Sequence, residues 1–168
     1  QGRHGDAIKE WKAALELAPS DARLQQELAT SVYMSRDYAA AEKMARELLA
    51  QDPESPELHF ILGDSLVNQQ QMEQALEPLR KAVQLRAEYP AAHAVLGRAL
   101  VQLGKGPEAI PHLRAALGTD SDGSLHFLLG RAYQDAGQAE LAAQTLKRYQ
   151  EIRNSTANGE IEITGPGR

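Results

Sequence analysis

Small residues recur along this chain at a spacing of 33 or 34 positions, and this period limits the possible folds more than any other feature. One series consists of three glycines, Gly63, Gly97 and Gly130. A second series consists of alanines, at Ala7, Ala41, Ala75, Ala109 and Ala142. Between these positions, apolar residues recur in steps of three and four, which is the period of a helix and not of a strand. The shared period predicts a repeat protein in which each complete unit contains two helices.

Glycine, proline and short polar residues mark the ends of the predicted helices. They include Gly104 and Gly137 within repeats, and the stretches 51–56 and 118–123 between repeats. These residue types favour turns because they tolerate backbone conformations that interrupt a helix. The turn signals divide the chain into a half repeat at 1–21 and complete repeats at 22–55, 56–89, 90–122 and 123–153. We therefore expect the chain to begin halfway through a repeat, with only a second helix.

Residues 154–168 differ from the repeats in composition. They contain three glycines and one proline, and Ile161 and Ile163 alternate with Glu160 and Glu162. Alternation of this kind is typical of a strand, whereas glycine and proline favour irregular backbone. The sequence predicts a flexible tail or linker here, with at most one short strand.

Leucine–glycine pairs and spaced alanines resemble the pattern of a known family. The pairs are Leu62-Gly63, Leu96-Gly97 and Leu129-Gly130, and the alanine of each second helix is followed four positions later by Trp11, Ala45, Leu79, Leu113 or Leu146. Over about residues 1–153 this pattern resembles the tetratricopeptide repeat family. The resemblance implies an all-α fold, a right-handed α-solenoid of helix–turn–helix repeats whose first helices line the concave side. It also implies a non-catalytic scaffold for protein–protein interactions.

Histidine occupies the position of the family's usual tryptophan in three repeats, at His59, His93 and His126. Packed helices lie about 8–10 Å apart. The ligands of one zinc ion must each come within about 2.0–2.1 Å of it. Three histidines one repeat apart therefore cannot share an ion, and we expect each ring to pack where the family places a large aromatic side chain. No metal ion or other cofactor is expected.

The remaining composition and motifs disfavour several classes of function. The chain has 18 basic and 23 acidic residues without a dense basic block, which argues against a nucleic-acid partner. It contains no apolar stretch long enough for membrane insertion, and it has no cysteine for a disulfide or thiolate site. The acidic stretch 120–123 does not match a calcium loop, and no phosphate-binding loop or nucleophile motif is present. We therefore predict that the protein is not an enzyme. The cellular compartment stays open.

The resemblance directs attention to the concave groove, where family members usually bind a peptide. Eight residues are predicted to form the binding surface: Tyr33, Phe60, Asp64, Asn68, Arg98, Gln102, Phe127 and Arg131. Phe60 and Phe127 are candidate apolar anchors, and Arg98 and Arg131 occupy equivalent positions in adjacent repeats. This combination favours a protein or peptide segment that carries an acidic group beside an apolar side chain. The alternative is that the arginines are solvated and the phenylalanines partly buried.

Two other interpretations remain open at this stage. Ile8, Trp11 and Leu15 form an apolar stripe on the first helix, so the protein could be a self-associating module that forms a homodimer through its N-terminal helix. Alternatively, the chain could be the helical arm of a larger enzyme whose catalytic domain lies outside this sequence.

Overall fold

The computed structural model describes the backbone of residues 2–163 and the side chains of residues 5–156. All regular secondary structure within these residues is helical, which confirms the predicted all-α class. The α-helices are α1 (Gly2–Leu17), α2 (Ala22–Met34), α3 (Tyr38–Leu49), α4 (Pro56–Asn68), α5 (Met72–Leu85), α6 (Pro90–Gln102), α7 (Gly106–Ala116), α8 (Ser124–Asp135) and α9 (Ala139–Ile163). A short 3₁₀ turn, Leu117–Thr119, follows α7.

Each predicted complete repeat contains one pair of these helices. The first helices of the pairs are α2, α4, α6 and α8, and the second helices are α3, α5, α7 and α9. Polar residues cap several of them: Asp21 accepts hydrogen bonds from the backbone N–H groups of Arg23 and Leu24, and Ser55 accepts one from Leu58. These bonds satisfy amide groups that have no partner inside the helix, which explains why the helices begin where they do.

The turn between the two helices of each repeat uses the same left-handed backbone conformation. The residue at this point has a φ angle of 66° at Arg36, 63° at Gln70, 69° at Gly104 and 71° at Gly137. Glycine adopts this conformation without steric cost, whereas a residue with a side chain does so at a cost of about 1 kcal/mol. The period of the chain is thus visible in its turns, although only the last two carry glycine.

Two compact units make up the chain, Gln1–Ala92 (unit 1) and His93–Arg168 (unit 2). In unit 1, Gly63 of α4 faces the fully buried Leu79 of α5, and a Cβ atom at Gly63 would lie 2.5 Å from Leu79 Cγ. In unit 2, a Cβ atom at Gly97 would lie 2.6 Å from Leu113 Cγ. The helices of a pair therefore approach closely because a glycine opposes a leucine, as the repeated small residues predicted.

The C-terminal residues differ from the sequence-based expectation. Helix α9 continues as far as Ile163, so residues 154–163 extend a helix and do not form the linker and short strand that the alternation of Ile161 and Ile163 suggested. The hydroxyl of Thr156 donates to the backbone carbonyl of Ile152, one turn earlier, which is compatible with a helix. The alternating pattern covers only four residues, too few to outweigh the continuation of an existing helix. Residues 164–168 lie outside the described part of the chain.

The length and hydropathy of the helices bear on membrane insertion. Among the described residues, no helix is both long enough and apolar enough to span a bilayer.

Candidate functional site

The eight residues predicted to bind a partner are divided equally between the two units. Tyr33, Phe60, Asp64 and Asn68 lie in unit 1 on helices α2 and α4, and Arg98, Gln102, Phe127 and Arg131 lie in unit 2 on helices α6 and α8. All eight belong to first helices of repeats. We refer to the surface that these helices contribute in each unit as its first-helix face.

In unit 1, three of the predicted residues are in contact with one another. The hydroxyl of Tyr33 donates a 2.7 Å hydrogen bond to Oδ2 of Asp64, and the ring of Tyr33 meets the ring of Phe60 edge-on at a centroid distance of 5.9 Å. The Asp64 side chain is largely buried, with 7% of its surface exposed. Asn68 is exposed, and its side-chain amide donates to the backbone carbonyl of Asp64 on its own helix. The Tyr33–Asp64 bond therefore joins α2 to α4 and fixes the orientation of both side chains.

The environment of Tyr33 also determines its protonation. Burial of the phenol raises its pKa strongly, and the hydrogen bond to Asp64 raises it further. An ionised phenolate would lose solvation and face a carboxylate, so both effects favour the neutral form. Tyr33 thus remains a hydrogen-bond donor to Asp64 throughout the ordinary pH range.

Two further rings extend the Tyr33–Phe60 contact. Tyr38 lies 6.2 Å from Tyr33, and Tyr89 lies 5.1 Å from Phe60, both measured between ring centroids. All four rings are half-buried, so each retains some exposure to solvent. We call this row of Tyr38, Tyr33, Phe60 and Tyr89 the aromatic ladder. Its two ends were not predicted from the sequence, although half of the chain's eight aromatic residues fall between positions 33 and 89.

Charged side chains adjoin one end of the aromatic ladder. The guanidinium group of Arg86 lies over the ring of Tyr89, 4.9 Å from its centroid, and it also forms an ion pair with Glu57. Burial raises the pKa of the Tyr89 phenol, nearby Glu57 raises it further, and Arg86 lowers it. This end of the ladder therefore already holds a cation on an aromatic face, an arrangement that the negative face of the ring stabilises.

Unit 2 has a cavity of about 330 Å³ at its first-helix face. Its apolar lining includes Val95 of α6 and Leu128 of α8, and its polar lining includes Arg98 and Asp122. Of the predicted residues in this unit, only Arg98 lines the cavity. The cavity therefore combines apolar walls with charged groups of both signs.

The other three predicted residues of unit 2 lie elsewhere on its surface. Phe127 is 40% exposed, and its ring packs against Tyr149 of α9 at a centroid distance of 5.3 Å. Gln102 and Arg131 are exposed. The structure therefore does not join the unit 2 residues into one cluster comparable to that of unit 1.

The acidic stretch before α8 serves to cap this helix. Asp120 accepts hydrogen bonds from the backbone N–H groups of Leu125 and His126, and Asp122 accepts one from Ser124. The hydrogen bond from the Ser124 backbone is the main reason that the pKa of Asp122 is lowered. Because the side chain of Asp120 is fully buried, its oxygens are committed to the helix.

The three repeated histidines have three different partners. His59 Nε2 lies 3.0 Å from the backbone carbonyl oxygen of Pro53, His93 Nδ1 lies 3.0 Å from His112 Nδ1, and His126 Nδ1 lies 2.5 Å from Oδ2 of Asp120. Each ring thus fastens its helix to a local neighbour. Within residues 5–156, no group of three or more histidine, aspartate or glutamate side chains is arranged to hold a metal ion.

The apolar stripe of helix α1 is partly covered. Ile8, Trp11 and Leu15 are half-buried, and the indole N–H of Trp11 donates a 3.1 Å hydrogen bond to the hydroxyl of Ser31 on α2. Leu17, near the end of the helix, is 90% exposed. The stripe is therefore only partly covered within this chain, in part by α2, and the homodimer through α1 stays a prediction.

Family models cover nearly the whole chain. Two models described as tetratricopeptide repeat match residues 1–59 and 95–157. The chain belongs to the tetratricopeptide repeat family. A third model of the same repeat type, described as anaphase-promoting complex, cyclosome, subunit 3, matches residues 34–116. No curated protein matches the sequence.

Solved structures of other repeat proteins share the tetratricopeptide fold. MamA is 21% identical, with a TM-score of 0.77 over 94% of this chain and 92% of that one. YrrB is 25% identical, with a TM-score of 0.74 over 91% of this chain and 79% of that one. TTC0263 of Thermus thermophilus is 20% identical, with a TM-score of 0.64 over 96% and 89% of the two chains. These likenesses extend the tetratricopeptide assignment over almost the full length.

Proposed function

We propose that this tetratricopeptide repeat protein is a non-catalytic scaffold that binds a segment of a partner protein on the first-helix faces of its repeats. The observation that carries this proposal is the aromatic ladder of unit 1. Its rings stay half-exposed, although burying an aromatic side chain is among the most favourable steps in folding. Tyr33 is held in place by its bond to Asp64. Rings that are rigid and still accessible lose little conformational entropy when a partner covers them.

A similar structure supports binding of a peptide. YrrB is described as a tetratricopeptide repeat protein with an unusual peptide-binding site. It is 25% identical to this chain, and the likeness covers 91% of this chain and 79% of YrrB. The likeness supports a peptide ligand here and leaves open where on YrrB that peptide lies.

Unit 2 supports recognition of a different chemical group. Arg98 lines the cavity beside the apolar side chains of Val95 and Leu128. A partner side chain could fill the apolar part while an acidic group next to it contacts the guanidinium. This arrangement supports the acidic and apolar partner segment that the sequence suggested for the arginines.

The polar groups gathered on these faces have structural partners, which favours binding over catalysis. Asp64 accepts a hydrogen bond from Tyr33, and Asp120 caps α8. Asp120 is also hydrogen-bonded to the ring of His126, so these bonds commit both carboxylates to holding the fold together.

Selection from a displayed library of random peptides tests the proposed function. The whole chain is the target, and the binding sites of enriched peptides are mapped by changes in the amide NMR spectrum. We expect the largest changes at first-helix residues such as Tyr33, Phe60 and Arg98. Lys43→Ala on the exposed side of α3 is the control and should leave binding unchanged. Enriched peptides that perturb only second helices, or a library without any binder, would contradict the proposal.

A self-associating module is the second candidate, favoured by one observation. Leu17 of α1 is 90% exposed, and burying such a side chain contributes roughly 1.5–3 kcal/mol. Light scattering on the wild type and on Leu17→Lys distinguishes the two candidates. A concentration-dependent dimer that this substitution abolishes would support self-association through α1.

A further inference from the structure

The spacing of the aromatic ladder matches that of side chains along an extended peptide. Successive ring centroids lie 6.2, 5.9 and 5.1 Å apart, from Tyr38 to Tyr89. In an extended chain, residues i and i+2 point to the same side and lie roughly 6.6 Å apart. Alternate side chains of an extended segment can therefore meet successive rings. A helical segment brings residues i and i+4 to one face at a similar distance of about 6 Å, but it uses about twice as many residues to reach all four rings. We therefore choose the extended form, in which every second side chain faces the rings.

The charge of unit 1 determines which side chains suit this surface. Residues 1–92 include 15 acidic and 10 basic residues, a net charge of −5, whereas residues 93–168 include eight of each. The entire net charge of the chain therefore resides in the unit that carries the ladder. The negative potential of unit 1 attracts cations. It repels the phosphates of a nucleic acid, which disfavours such a partner even though nucleic-acid bases can stack on aromatic rings.

Arg86 provides an internal example of the contact. Its guanidinium group lies 4.9 Å from the centroid of Tyr89, within the distance at which a cation is attracted to a ring face. Glu57, which pairs with Arg86, lies at the same end of the ladder. This protein thus already holds one arginine between an aromatic ring and a carboxylate.

We propose that the aromatic ladder of unit 1 is a docking surface for an extended, arginine- or lysine-bearing segment of a partner protein. The proposal rests on the proposed scaffold function and specifies the partner of that face. Alternate basic side chains lie on successive rings, and the negative charge of unit 1 attracts the segment from solution. Tyr33, held by Asp64, and Phe60 form the centre of the surface.

Three synthetic decapeptides test this assignment on the whole chain by calorimetry. They alternate threonine with arginine, with glutamine or with glutamate. We expect the arginine peptide to bind most tightly and to lose affinity as salt is raised, since salt screens charge attraction. The glutamine peptide should bind more weakly, and the glutamate peptide should show no binding that depends on the ladder.

A matched pair of variants locates the binding. Phe60 and Tyr149 are both half-buried rings that pack against another ring, but only Phe60 belongs to the ladder. Phe60→Leu keeps an apolar side chain and should weaken the arginine peptide by about fivefold, because one cation–ring contact is lost. Tyr149→Leu, on the second helix α9, should leave its affinity unchanged. If Phe60→Leu unfolds the chain, as judged by circular dichroism, Tyr89→Leu at the end of the ladder serves instead.

The outcomes separate this inference from the proposed function. Equal effects of Phe60→Leu and Tyr149→Leu, or ladder-dependent binding of the glutamate peptide as tight as that of the arginine peptide, would overturn the basic docking surface. Library-selected peptides would then still bind the first-helix faces if the scaffold function is correct. If no peptide of any kind binds, the proposed function itself fails.

Discussion

The two units share one repeat architecture but differ in the chemistry of their first-helix faces. Unit 1 carries the net charge of −5 and a row of four half-exposed rings. Unit 2 is neutral and has a cavity lined in part by Arg98. The repeat position held by Asp64 in unit 1 is held by Arg98 and Arg131 in unit 2. The charge of the first-helix face therefore differs between the two units, although the repeat position is the same.

Equivalent phenylalanines illustrate the same difference. Phe60 contacts rings on either side of it, Tyr33 and Tyr89. Phe127 instead contacts Tyr149 on the second helix of its own repeat. The period places both residues at the same point on a first helix, but their neighbours decide whether the ring joins an extended surface. Repeats of one family can thus present different binding surfaces on the same backbone.

The largest expected effect is the loss of stability when a buried leucine is shortened in either unit. Comparing the two losses tests whether the cores of the units are packed alike. Leu79 and Leu113 are fully buried and each faces the glycine of its helix pair. Leu79→Ala and Leu113→Ala should each lower the free energy of unfolding by about 3 kcal/mol, through lost burial and a residual cavity. Urea denaturation followed by circular dichroism measures this change. The exposed Leu141→Ala is the control, with an expected change below about 0.5 kcal/mol. A much smaller loss in one unit would show that its helix pair is packed differently.

The next effect concerns the basic residues of unit 2. Replacing both Arg98 and Arg131 with glutamate should weaken a decapeptide of alternating glutamate and leucine by about tenfold, because charge-assisted contacts are lost and repulsion is introduced. The alternating arginine and threonine peptide should bind as before, since it uses unit 1. Arg114→Glu, on the exposed side of α7, is the control. Calorimetry on both peptides measures the change. If the double variant binds both peptides as the wild type does, the arginines have no part in recognition.

Much of the fold and part of the site follow from the sequence. The period predicted the helix pairs and the close contact at Gly63, because a small residue that recurs at one position of each pair allows two helices to approach closely. The period also predicted that Tyr33, Phe60 and Asp64 lie on one face. Tyr38 and Tyr89 were missed because they lie at the start of a second helix and in the loop before α6, where no first-helix pattern applies.

The cavity of unit 2 was missed for a related reason. Part of its lining comes from Thr119, Asp120 and Asp122 in the connection between α7 and α8. The conformation of such a connection depends on local capping bonds, here those that Asp120 and Asp122 accept from α8. Helical periodicity contains no information about these bonds, so a period can locate a connection without predicting its shape.

Alkaline pH should affect unit 1 through Tyr33. Its pKa is raised in the folded protein above the ordinary tyrosine value of about 10. The contribution of this raised pKa to stability is complete below pH 10 or so and is lost as pH rises toward the folded pKa, because the unfolded chain ionises first. We expect the midpoint of urea unfolding to fall above about pH 10 by more in the wild type than in Tyr33→Phe. Identical pH profiles for the two proteins would show that Tyr33 titrates normally.

The smallest expected effect lies in the turns, where the two units also differ. Unit 1 has Arg36 and Gln70 at the left-handed positions, and unit 2 has Gly104 and Gly137. Arg36→Gly should raise the free energy of unfolding by about 0.5 kcal/mol, since relief of steric strain slightly exceeds the added chain entropy of glycine. Gly104→Ala should lower it by about 1 kcal/mol. No atom lies within 4 Å of a Cβ built at Gly104, so the backbone conformation alone accounts for that loss. Thermal melts of both variants measure these shifts, and equal signs would mean that turn strain does not distinguish the units.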